Sequence, residues 1–61
     1  MADTKMTAGI RFNDPVAKYM RFEIDILEMR LDVYITAVVD GREITFRGII
    51  ARSQWIPVEE D

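Results

Sequence analysis

The chain contains no cysteine and no histidine, and its 61 residues include only three glycines and two prolines. Without cysteine there is no disulfide to staple the fold, and without either residue the usual structural zinc sites are excluded. The same absence leaves any acid/base or nucleophilic centre dependent on carboxylates. Gly9, Gly41 and Gly48 are too scattered to form a phosphate-cradling loop. No apolar run approaches the roughly 18 residues of a spanning helix, and the opening "MADTKMTAG" lacks the apolar centre of a secretory signal. These absences point away from an enzyme, a cofactor, a metal site and a membrane. The missing cysteines fit a reducing, cytoplasmic compartment.

The body of the chain also lacks a surplus of either charge. The net charge is −3, and Glu59, Glu60 and Asp61 at the C-terminal end account for all of it. A neutral body gives no strong electrostatic footprint for nucleic acid. The acidic end reads as a solvated terminus.

What the chain does have is apolar content, 49% of its residues, which argues against disorder. A chain of this length buries only about 60% of the surface its unfolded form exposes. Burying so much apolar surface without staples calls for self-association, and a second copy is the expected partner.

The firmest local signal is "VYITAVVDGREITFRGII", residues 33–50. Asp40-Gly41 is a two-residue hairpin turn signal, because both central positions of a type I′ turn need positive φ. With Val39 opposite Arg42, the pairs Ala37 with Ile44, Ile35 with Phe46, Val33 with Gly48 and Leu31 with Ile50 fall on one apolar face. Turn and alternation thus choose the same register. The other face pairs Val38 with Glu43, Thr36 with Thr45, Tyr34 with Arg47 and Asp32 with Ile49. The hairpin is expected over 31–39 and 42–52. This segment resembles the first motif of Sm-like RNA-binding rings, in which an N-terminal helix precedes a strongly bent sheet. Gly41 and Gly48 stand further apart than that motif's glycines, and the family is not assigned.

Upstream, two periodicities compete. At helical spacing, Val16, Met20, Ile24, Leu27 and Leu31 make one apolar stripe, while Lys18, Arg21, Asp25, Glu28 and Asp32 make a polar one. Tyr19, Phe22, Ile26 and Met29 add a second apolar stripe. At strand spacing, Met20, Phe22, Ile24 and Ile26 alternate with polar residues, but the parity changes at Leu27, which would require a bulge or turn there. The segment has none of the usual turn residues, and "NDP" offers Asn13 or Asp14 as a helix cap with Pro15 in the first turn. The expected fold is therefore α+β: a helix over 14–30 laid across the hairpin sheet, which oligomerisation completes. The alternative is an all-β, three- or four-stranded antiparallel meander. Residues 1–8 are expected to be a flexible arm, "GIRF" a short edge strand, and 53–61 a tail. Gly48 is expected to lie under a ring, with Tyr19, Phe22 and Trp55 as candidates, or to mark a bulge.

Four residues stand out as binding candidates. Tyr34 and Arg47 lie side by side on the outer sheet face with Arg30 near them, a set able to stack on an unpaired base. The same cross-strand pair is also an ordinary cover for a sheet. Trp55 is a candidate interface anchor or a core seal. The carboxylates Asp25, Glu28 and Asp32 share their helical stripe with Lys18 and Arg21, as a wet charged face does. The functional expectation is a small non-enzymatic protein-interaction module, an oligomeric regulator or inhibitor of a larger protein assembly. The rival is a single-stranded nucleic-acid-binding protein using the Tyr/Arg face.

Overall fold

In the computed structural model, which describes residues 4–59, the chain is a single antiparallel sheet of four strands in sequential order. The strands are β1 (Lys5–Arg11), β2 (Ala17–Asp25), β3 (Arg30–Val39) and β4 (Arg42–Ile50). A single 3₁₀ turn, Arg52–Gln54, follows β4. The fold is thus the all-β meander, and the expected helix over 14–30 is overturned: those residues are the end of the β1–β2 connection, β2, the β2–β3 loop and the first residue of β3. The flexible arm was expected to run through Ala8, yet β1 begins at Lys5 and is longer than "GIRF" alone.

The parity change explains the correction. Asp25 pairs with Arg30 across a loop of four residues, Ile26 to Met29. A loop of even length moves the inward set from even positions on β2 to odd positions on β3. The turn forms without Gly, Pro, Asn or Ser because two other devices supply it. The Asp25 carboxylate accepts the Glu28 N–H at 3.2 Å, and Met29 takes the left-handed conformation at φ 51°. Helix propensity differs by at most about 0.7 kcal/mol among ordinary residues, which is too little to outweigh pairing on two sides for a segment carrying Tyr19, Phe22 and Ile24.

The supposed helix cap is genuine capping chemistry in a different element. Asp14 Oδ2 accepts the N–H groups of Val16 and Ala17, each at 2.8 Å, and so shapes the β1–β2 connection. These two bonds hold the Asp14 carboxyl below its ordinary pKa. Just beyond, the β2–β3 register slips between Ala17 and Tyr19. Lys18 is the extra residue of this bulge, and its Nζ donates to the Asp14 carbonyl at 2.9 Å.

The β3–β4 hairpin has the expected register from Val39 opposite Arg42 to Leu31 opposite Ile50. Asp40 and Gly41 both have positive φ, 51° and 74°. Gly48 is corrected. Its φ is not positive, and a Cβ built on it would meet nothing within 4 Å, so neither ring nor positive-φ bulge is present. The ring that covers a strand glycine is Tyr19, whose hydroxyl and outer ring lie against Gly9.

Registers across all four strands sort the side chains into two faces. One carries Met6, Ala8 and Ile10 from β1, Met20, Phe22 and Ile24 from β2, alternate residues Leu31 to Val39 from β3, and Ile44, Phe46, Gly48 and Ile50 from β4. Its charged residues are Arg42, at the β3–β4 hairpin end, and Lys18, at the β2 bulge near the same end of the sheet. The other face is polar. Among the described residues no second layer lies over either. Among the described residues no apolar side chain is buried. The radius of gyration is 14.6 Å, against about 10.5 Å for a compact domain of this length.

Candidate functional site

The polar face is organised around Tyr34 on the central strand β3. Directly opposite it stand Arg21 on β2 and Arg47 on β4. The guanidinium carbon of Arg21 lies 4.3 Å from the ring centroid and that of Arg47 lies 5.7 Å from it, within the range of cation–π attraction. Arg21 also reaches Glu23 at 3.7 Å, while its own Nε is buried without a hydrogen-bond partner.

Two residues before Tyr34, on the same face, Asp32 binds two arginines, Arg30 and Arg47. Arg30 donates to it through Nε at 2.8 Å and through a terminal nitrogen at 3.3 Å, and Arg47 donates at 2.6 Å. Asp32 is 7% exposed and is the only buried residue among those described. Its pKa is lowered first by the Arg30 hydrogen bonds and then by Arg47, against the opposing effect of desolvation. Arg47 in turn is raised above its ordinary value, chiefly by the same bond to Asp32. The result is a continuous chain, Arg21, Tyr34, Arg47, Asp32, Arg30, that spans three strands. Alongside it, the hydroxyls of Thr36 and Thr45 bond at 2.8 Å, and Arg11 lies 5.5 Å from the Tyr19 ring centroid.

Tyr34, Arg47 and Arg30 are thus brought into one network, with Arg30 joined through Asp32. Trp55 is elsewhere: its indole N–H donates to the Ile50 carbonyl at 3.3 Å, and it does not reach Gly48. Sequence reasoning missed Arg21 and Asp32 as members of this set. Assigning Arg21 to a helix hid its position across from Tyr34. Asp32 was paired in register with Ile49, which conceals the diagonal reach of Arg47. The carboxylate stripe Asp25, Glu28, Asp32 does not exist, since Glu28 lies in the β2–β3 loop.

A shallow groove of about 280 Å³ runs beside this network, lined by Lys5, Thr7, Glu23, Asp25, Arg30 and Asp32, with Met6 and Ile24. Both signs of charge line it. Among the described residues no group of three His, Cys, Asp or Glu could hold a metal ion, and no helix is long and apolar enough to cross a membrane. No family model, curated protein or solved structure matches the chain.

Proposed function

We propose that the protein is a small, non-enzymatic protein-interaction module, a cytoplasmic regulator or inhibitor that works as an oligomer and docks on a larger protein assembly through its polar face. The observation that carries this reading is the arginine-flanked Tyr34. Tyr and Arg are the residue types that dominate interface hot spots, and here the side chains are held in place before any partner arrives. Pre-ordering reduces the entropy lost on docking. Nothing in the residue set favours bond-making chemistry.

A second reading, single-strand nucleic-acid binding, also draws on Tyr34, Arg47 and Arg30. It is the weaker of the two. Arg21 sits over the Tyr34 ring, so a base would have to displace it to stack, and Arg47 and Arg30 already share the charge of Asp32.

Affinity capture from source-cell extract with wild type, Tyr34→Ala and Arg47→Ala tests the first reading. A partner enriched by wild type and lost in both variants, while each variant keeps its oligomeric state, supports it. Equal capture by all three overturns it. Titration with a labelled single strand at low and moderate salt tests the second, and tight binding that Tyr34→Ala abolishes would put it first.

A further inference from the structure

The polar face covers itself with its own ion pairs and ring contacts, but the apolar face is left bare. We infer that this face is closed by the same face of a second copy, so that the protein is a two-fold symmetric sandwich of two four-stranded sheets. The inference specifies the oligomer of the proposed function and rests on that reading only for its biological meaning.

Three observations select a second copy as the occupant. The first is extent. Four strands spaced by about 4.8 Å and about nine residues long at about 3.3 Å each present roughly 600 Å² of projected face. Two copies would cover about 1,200 Å² before side-chain relief is counted, which reaches the size of a specific, stable interface.

The second is charge. The centre of the face carries no ion: Arg42 and Lys18 both stand at the end where the β3–β4 hairpin turns, where a long side chain can extend past the edge of an interface. A centre without charge offers nothing for a differently charged partner to complement, and it is complementary to itself.

The third is the state of the chain without cover. Met6 is 54%, Phe46 51% and Ile10 49% exposed, and among the described residues no apolar side chain is buried. An uncovered sheet of this kind has no core to hold it. The cover is then a condition of folding, and a second copy is the one partner that synthesis of the chain itself always supplies.

The relief of the face fits such packing. One row across the sheet reads Ala8, Phe22, Val33, Gly48, with large residues at the centre and small ones at both flanks. Space above Gly48 is open. Facing sheets about 10 Å apart interdigitate their side chains, and the small Ala8 and Gly48 of this row leave hollows between larger neighbours where side chains of the opposing sheet can seat.

The test uses purified protein alone, so its outcome is independent of whether a larger partner is ever captured. Sedimentation equilibrium of wild type at low micromolar concentration should give twice the 7.1 kDa chain mass. Thr7 and Ala8 are neighbours on edge strand β1 that point to opposite faces. Ala8→Lys and Gly48→Glu should each weaken self-association at least 100-fold, with or without loss of folding, whereas Thr7→Lys, opposite Glu23, should leave it unchanged. A second pair of variants keeps the sheet intact: the thiol introduced by Ala37→Cys, on the apolar face, should be alkylated at least tenfold more slowly than that introduced by Thr36→Cys. A folded 7.1 kDa monomer overturns the proposal. So does an oligomer that survives both Ala8→Lys and Gly48→Glu, which would be joined through its β1 and β4 edges, or an apolar-face thiol as reactive as the polar-face one.

Discussion

Arg47 on β4 donates to Asp32 on β3 at 2.6 Å although the two are not direct cross-strand partners. Arg47 is paired with Tyr34, and its side chain runs diagonally along the sheet to the carboxylate two residues earlier. One cation therefore serves two neighbours, the ring of Tyr34 and the charge of Asp32. Arg30 meets the same carboxylate from within its own strand.

This sharing makes stability depend on acid in a predictable direction. The Asp32 pKa lies below its ordinary value of 3.8, so the network contributes fully above that value, and the contribution fades as pH falls through the lower, folded-state pKa. Asp14 is shifted the same way and adds to the acid limb. Asp32→Asn should lower the melting temperature near neutral pH, and the gap from wild type should shrink by about pH 2.5. Melting curves at both pH values check it; a gap that is constant with pH would show that the charge of Asp32 is not what is lost.

At the β3–β4 turn, Gly41 has φ 74°. A β-branched residue is strained there, and Gly41→Val should cost roughly 1 to 2 kcal/mol in denaturant unfolding. A change within a few tenths of that unit would exclude the type I′ geometry.

Met29 is the less obvious turn residue, a non-glycine at φ 51°. Met29→Ile keeps the apolar character but places a branched Cβ in the left-handed region, and it should destabilise by about 1 kcal/mol or more. Met20→Ile, the same exchange inside β2, should be near neutral, because β-branched residues suit strands. Equal effects at the two positions would remove the backbone of Met29 as the cause.

Tyr19 lies close enough to Gly9 that an added Cβ would collide with the outer end of the ring. The ring would have to swing away, giving up its place over the bare strand. Gly9→Ala should therefore cost about 0.5 to 1 kcal/mol in the wild-type background and nothing once Tyr19 is replaced by Leu. A cost that persists in the Tyr19→Leu background would place its origin in the backbone.

How much of this was legible in the residues depends on the range of the interaction involved. The β3–β4 hairpin was fixed locally: Asp40-Gly41 needs positive φ at two successive positions, and only one register puts apolar residues opposite apolar ones. The parity change at Leu27 was equally visible and marked the β2–β3 turn, and the capping chemistry of Asp14 was visible too. What the residues alone left open was which periodicity would win between Val16 and Arg30, because an amphipathic helix and an alternating strand satisfy the same apolar positions to similar degrees. Tertiary pairing decided it: once β3 offered a free edge, β2 gained backbone bonds on one side and β1 added to it on the other. The network of Arg21, Tyr34, Arg47, Asp32 and Arg30 is likewise a product of that pairing, since three strands must lie in register before its charges meet. The empty space above Gly48 follows from the same cause, because the described residues form one layer, a four-stranded meander, with no further strand or α-helix among them to cover it.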